Sequence, residues 1–205
     1  RLTKTDLTGT AVYTYDDNGA LIAVTGPDRS AEYTYNDLGR MSTATVTANG
    51  TTITESYLYD WAGTRTAKIT DGVLTYYLVD TAGVLSQVLA ELDHTGALIT
   101  HYTHGSELIS LSRPSEKRYY IHDGQGSVRA LSDTDGQVTD TYIYDAFGNL
   151  LSKTGTTAND FLYTGEQYDA NTGFYYLRAR YMNPSTGTFP SMDANAGTIF
   201  DPVSL

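Results

Sequence analysis

The chain has 205 residues, a formal charge of −11 and no cysteine. Disulfide frameworks and thiolate metal sites are excluded. With 24 acidic against 13 basic residues, no cationic stripe is available to neutralise phosphate, so neither nucleic acid nor an anionic membrane surface is an expected partner.

Tyrosine dominates the aromatic set, with 18 Tyr against 5 Phe and 1 Trp, and Gly is abundant at 19. Tyr, Thr and Val suit half-buried pleated surfaces, and many glycines imply many turns. No apolar run is long enough for a membrane-spanning helix, and insertion into a membrane is not expected. The N-terminus (Arg1 to Asp6) has no signal-peptide apolar region, and its start inside a repetitive pattern points to a longer exported parent.

From the N-terminus one pattern recurs: an Asp or Asn, two residues, a Gly, one residue, then an apolar one. It opens as Asp16…Gly19 with Leu21 and returns as Asn36…Gly39 with Met41. Next is Asp60…Gly63, where Arg65 breaks the apolar rule. Asp80…Gly83, Asp93…Gly96, Asp123…Gly126, Asp133…Gly136 and Asp145…Gly148 follow, each with its apolar residue. Asp or Asn in the first position bonds backbone amides just ahead, and Gly in the fourth supplies positive φ. Together they describe a type I turn closed by a glycine bulge, a hairpin connection.

The strand before the turn has its own signature: Tyr13-Thr14-Tyr15, Tyr33-Thr34-Tyr35, Tyr57-Leu58-Tyr59 and Tyr142-Ile143-Tyr144. Two Tyr at spacing two share one sheet face. A helix fails as an alternative, because no stripe of period 3.6 persists across the turns. The stretches Ser112 to Arg118 and Lys153 to Asp160 read as exposed loops.

After Asp160 the texture changes. Two turns there have one more residue between Asp/Asn and Gly (Asp169 to Gly173, Asn183 to Gly187). Arg178 and Arg180, alternating with Leu177, Ala179 and Tyr181, read as two guanidiniums on one face of a strand.

The runs Tyr-Asp-Ala-Phe-Gly-Asn-Leu (144–150), Tyr-Thr-Gly-Glu-Gln-Tyr-Asp (163–169), Gly-Phe-Tyr-Tyr-Leu-Arg-Ala-Arg-Tyr (173–181) and Asn-Pro-Ser-Thr-Gly-Thr-Phe (183–189) resemble the RHS repeat-associated core. The upstream Tyr-x-Tyr-Asp-x-x-Gly copies resemble YD repeats. The resemblance implies a long β-strip that spirals into a hollow shell, of the kind that encloses the C-terminal toxin of bacterial polymorphic toxins and insecticidal toxin complexes. It also implies an autoprotease in shell members, built from an Arg and aspartates. Arg180 and Asp193 match the family's strand Arg and its Ser-x-Asp aspartate. An aspartate protease needs two carboxylates sharing a proton, and a nearby Arg holds one ionised. The family's Asp-Pro-x-Gly departs here to Asp193-Ala194-Asn195-Ala196-Gly197, with an Asp-Pro later at Asp201-Pro202. A further aspartate and the scissile bond are expected beyond Leu205, so this chain alone is not expected to be an enzyme.

Other motifs read as structure. His101 and His104, three apart, fall on opposite strand faces and lack a third ligand. Asp133-Thr134-Asp135-Gly136 matches the turn repeat better than a calcium loop. Gly124-Gln125-Gly126 has no helix context for a nucleotide. No metal or cofactor is expected.

The expected fold is all-β: tandem antiparallel hairpins in one continuous twisted or spiralling sheet. Residues 1–160 form the YD-repeat array, and 161–205 form the core segment as part of the same sheet. The expected role is a shell or scaffold segment of a secreted or cell-surface bacterial protein, enclosing or presenting a C-terminal toxin or effector domain. The alternatives are an adhesion module, with exposed Tyr rows stacking on carbohydrate or meeting a cell-surface partner, and a partial aspartate autoprotease site. Open sheet edges predict self-association.

Overall fold

This computed structural model describes residues 2–6 and 9–193. Ala194–Gly197 and Asp201-Pro202, where the motif departs from the family pattern, lie outside the described residues.

Fifteen strands form one open antiparallel sheet whose spatial order is the chain order. They are β1 (Leu2–Asp6), β2 (Gly9–Tyr15), β3 (Leu21–Thr25), β4 (Arg29–Tyr35), β5 (Met41–Ala48), β6 (Thr51–Tyr59), β7 (Arg65–Thr70) and β8 (Val73–Asp80). They continue as β9 (Gln87–Leu92), β10 (Leu98–His104), β11 (Leu108–Arg113), β12 (Glu116–His122), β13 (Val128–Ser132), β14 (Val138–Tyr144) and β15 (Leu150–Thr154). A short 3₁₀ turn (Tyr163–Gly165) leads to a second sheet of β16 (Gln167–Asp169), β17 (Phe174–Leu177) and β18 (Arg180–Met182).

The repeated turns form as their sequence dictates. Asp16 Oδ1 accepts from the N–H groups of Asn18 (3.0 Å) and Ala20 (2.8 Å), and Gly19 N–H donates to Asp16 C=O (3.1 Å). The side-chain pair recurs at Asn36, Asp93, Asp123, Asp133 and Asp145. The glycines sit at φ between +71° (Gly39) and +90° (Gly148). The copy at Asp80…Gly83 differs: Gly83 is not left-handed, because the chain runs on to Gln87 before pairing resumes.

Each turn is followed by a register shift in the next strand pair, as between Thr14 and Tyr15 opposite Leu21. After β2, β4, β8, β10 and β12 the residue beyond the shift points inward, and the last aromatic of the following hairpin reaches back to its carbonyl. Tyr35 OH donates to Leu21 O (2.8 Å), Tyr59 OH to Met41 O (2.7 Å) and Tyr144 OH to Val128 O (2.8 Å). His104 Nε2 does the same to Val88 O, and His122 Nε2 to Leu108 O, both at 2.8 Å. Those two histidines stand in for the second Tyr of the repeat.

The first Tyr of each pair faces the core. Tyr33, Tyr57, Tyr77, Tyr102, Tyr120 and Tyr142 are all buried. The expected exposed Tyr rows are therefore not on the surface, because a ring on the inward face covers more apolar area there than in water.

The second sheet explains why. Phe174, Tyr176 and Tyr181 pack with Leu21, Tyr33, Met41 and Tyr57 of the first half of the strip. Tyr175 packs with Tyr102, Tyr120, Val128 and Tyr142 of the second half. Successive β17 residues point to opposite faces, so the strip bends around both faces of the small sheet. The expectation that residues from 161 onward continue the same sheet is corrected here.

Three further expectations are corrected. Ser112 to Arg118 is a tight hairpin turn at Pro114-Ser115, held by Arg113–Glu116 (2.8 Å) and Arg118–Glu116 (3.1 Å) ion pairs. The chain after β15 is no exposed loop: Thr157 and Asn159 are buried, bonded to Asp140 and to Tyr120. Residues 173–181 are not one strand, because the chain reverses at Arg178-Ala179 with Arg178 at φ +63°. A left-handed arginine carries no composition signal. Its guanidinium is held by Glu166 (2.6 Å) and the Ser86 carbonyl (3.0 Å).

Two glycines separate backbone strain from crowding. A Cβ at Gly136 (φ +78°) meets open space, whereas at Gly148 (φ +90°) it would lie 2.7 Å from the Tyr163 ring. Gly136→Ala is expected to cost about 1 kcal/mol, and Gly148→Ala about 1–3 kcal/mol more, by chemical denaturation. Equal costs would show that the 3₁₀ segment yields to the turn.

Candidate functional site

The small sheet carries two charged sites, one against the strip and one at the rim. The first is built on Arg65. In three of the other repeats this slot holds Leu21, Met41 and Val128, each at 2 % exposure or less; Arg65 fills it equally buried. An arginine there needs a full set of acceptors. Its Nη1 pairs with Asp169 Oδ2 (2.5 Å) and donates to Tyr181 OH (2.9 Å), and its Nη2 donates to Gln167 Oε1 (3.0 Å). The guanidinium lies 4.2 Å from the Tyr176 ring centre. Arg65 Nε is buried with no hydrogen-bond partner.

Lys68 completes the knot, pairing with Asp169 Oδ1 at 2.9 Å. Lys68 also lies 3.8 Å from Glu55, which accepts from Tyr57 OH (2.7 Å) and Asn171 Nδ2 (2.9 Å). Every acceptor of Arg65 named here belongs to the 161–193 segment. The knot therefore fixes the small sheet to the strip.

Burial pushes the Asp169 carboxyl up, but Arg65 and Lys68 more than offset this and hold it below the usual carboxylate value. Burial raises Asp160, with Lys68 and Arg65 pulling against it and Asp169 adding to it. Glu91, bonded by Tyr102 OH (3.0 Å), is likewise raised by burial and then by Asp160.

The second site is at the rim. Arg180 Nη2 lies 2.9 Å from Asp193 Oδ2, and the guanidinium stacks on Phe189 at 3.8 Å from the ring centre. The two residues that the sequence singles out are thus brought together. Arg178 does not join them, because the turn sends it to Glu166. His101 and His104 are separated by face: His104 is a latch and His101 is outward, opposite Ala90 and Ser112. Among the described residues, no group of three His, Cys, Asp or Glu side chains is arranged to hold a metal.

Sequence reasoning flagged Arg65 as the break in the apolar rule without assigning its partner. Asp169, read as a turn opener, does open that turn, with Gly173 N–H on its carbonyl (2.8 Å). Its side chain serves the knot as well.

An open strip of YD hairpins bent around a small C-terminal sheet defines a class, the YD-repeat (RHS-repeat) shell proteins. The family model of the teneurin YD-shell matches residues 3–204, and the chain belongs to that family. It is 38% identical over 151 residues to the tRNA3(Ser)-specific nuclease WapA of Bacillus spizizenii, covering 70% of this chain and 6% of that one. It is 36% identical over 151 residues to the tRNA nuclease WapA of Bacillus subtilis strain 168, with the same coverage. The chain thus spans a small part of these relatives. The fold is similar to that in the Photorhabdus luminescens Tc holotoxin pore (TM-score 0.62, 20% identity, 93% of this chain and 12% of that one). It is also similar to the TcdB2–TccC3 crystal structure (TM-score 0.52, 17% identity, 94% and 15%).

The knot makes two predictions. Arg65→Met leaves Asp169 buried with part of its compensation gone, and a loss of about 3–5 kcal/mol is expected in urea unfolding. The double variant Arg65→Met/Asp169→Leu should lose less than the sum of the single variants.

The second prediction concerns pH. Asp169 has a folded pKa below its unfolded one, so its contribution is present above about pH 4 and is lost as pH falls through the folded value. Asp160 and Glu91 have raised folded pKa values, so their contribution is full at low pH and is lost as pH rises through those values. The urea midpoint should therefore rise from neutral to mildly acidic pH and fall below about pH 4. Glu91→Gln should flatten the rise, and an unchanged profile would remove Glu91 from the account.

Proposed function

We propose that this chain is the closing segment of a shell in a longer, exported bacterial protein, and that the shell encloses or presents a C-terminal effector. The observation that carries this reading is the match to the WapA nucleases, at 36–38% identity over a stretch that makes up only 6% of their length. A strip with inward tyrosines bent around a small sheet is a scaffold geometry, and it agrees with that role.

Within this reading the Arg180–Asp193 pair is half of an autoprocessing site. The Arg180–Asp193 ion pair supplies one of the two carboxylates that such a site requires. The second carboxylate and the bond to be cut belong to chain that follows residue 205.

Intact-mass analysis of a parent chain extended beyond Leu205 tests both parts. Wild type is expected to run as two fragments and Asp193→Asn as one. If neither is cut, Asp193 has no catalytic role and the segment is a passive scaffold. Protease digestion of the parent separates enclosure from presentation, since an enclosed effector survives while the shell is intact.

A further inference from the structure

The latches along the strip have one gap. Five carbonyls, those of Leu21, Met41, Val88, Leu108 and Val128, are each taken by a Tyr hydroxyl or a His ring. Between Met41 and Val88 in this series stands Arg65, opposite Tyr59. The residue that should reach back to it ends β8, where Tyr77-Leu78-Val79 takes the place that Tyr57-Leu58-Tyr59 and Tyr102-Thr103-His104 hold in the neighbouring hairpins. Val79 has neither a ring nor a donor. Among the described residues no side chain donates to the Arg65 carbonyl.

The missing ring leaves space. A cavity of about 200 Å³ opens there, with both Arg65 and Val79 in its wall. The turn after β8 widens it, because the chain runs on to Gln87 before pairing resumes. Its deep wall is apolar and aromatic: Leu108, Phe161 and Tyr176 are at 6–7% exposure. Its mouth is at the rim, where Leu85 and Glu107 are exposed. A cavity of about 150 Å³ admits one benzene ring, so this one has room for a ring with a small substituent.

Two polar groups define that substituent. The Arg65 carbonyl is an acceptor. Gln167, 5% exposed, lines the same cavity; Arg65 Nη2 donates to its Oε1, and its Nε2 has no partner among the described residues. That amide is a donor. A hydroxyl satisfies both, since it donates one hydrogen bond and accepts others. A carboxylate has no proton for the carbonyl, and an ammonium has no lone pair for the amide. The charged groups of the wall do not alter this: Arg178 is paired with Glu166 at 2.6 Å, and Glu107 is exposed to water.

We propose that this cavity is a binding site for a phenolic ring, the chemistry of the tyrosine that the repeat omits at position 79. The ring lies against Phe161 and Tyr176, as aromatic pairs favour. Its hydroxyl donates to the Arg65 carbonyl and accepts from Gln167 Nε2. A free small phenol and a tyrosine side chain of another polypeptide share this chemistry.

The test is calorimetric titration of the 205-residue chain with p-cresol, and with toluene as the same ring without a hydroxyl. p-Cresol is expected to bind at least about tenfold more tightly, because toluene leaves a buried donor and acceptor unbonded. Val79→Tyr supplies the ring from the strip itself, so it should abolish p-cresol binding and raise the urea midpoint. Val79→Phe should block p-cresol with a smaller rise. N-acetyl-tyrosine-N-methylamide separates the two sources: its binding supports a tyrosine carried by a polypeptide, and binding of p-cresol alone supports a free phenol. Three results would overturn the proposal: no binding of p-cresol to wild type, equal binding of toluene, or undiminished p-cresol binding by a Val79→Tyr chain with native circular dichroism. The first two are read on wild type and stand even if the variant does not fold.

Discussion

Where the residue that follows a turn of the strip is buried, its carbonyl and N–H must both be bonded. In this chain the two groups are answered from different directions. The carbonyl is taken by the Tyr or His that ends the next hairpin, as in Tyr35 to Leu21 and His122 to Leu108. The N–H is taken by the returning C-terminal segment: Leu21 by Pro190 O, Arg65 by Tyr176 OH and Val128 by Leu162 O. The repeated Tyr-x-Tyr-Asp and the path of the last residues thus solve one requirement.

Much of this was legible in the sequence. Asp16…Gly19 and its copies state the turn, and Tyr pairs at spacing two state a shared face, because both signals are local; which face turns inward depends on the small sheet. What escaped was whatever depends on distant partners. Thr157 and Asn159 look like loop residues until Asp140 and Tyr120 are brought over them. Arg178 takes a left-handed turn conformation that its neighbours do not announce, with Glu166 and Ser86 as its anchors. Arg180 and Asp193 were legible as a pair through the resemblance, and Phe189 beneath the guanidinium was not. The three-stranded sheet was hidden because the change of pattern after Asp160 is local, and strand pairing depends on which segments meet.

Arg65 shows how one break in a repeat can place a whole segment. An aliphatic residue in its slot would let the small sheet slide, since apolar contact is non-directional. A buried guanidinium accepts few arrangements, and Asp169, Gln167 and Tyr181 meet it in one. Replacing such a pair by apolar residues is often neutral for stability. Its value here is registry between two elements over 100 positions apart.

Strand order equal to chain order also sets a direction in time. Each hairpin closes on its neighbour without waiting for distant sequence, which favours rapid local folding. As a chain leaves the ribosome N-terminus first, the strip can grow two strands at a time with its inward tyrosines still uncovered. The segment that covers them is the last of these elements to be made. Until it arrives the strip is an open hand, and the small sheet is the object on which it closes.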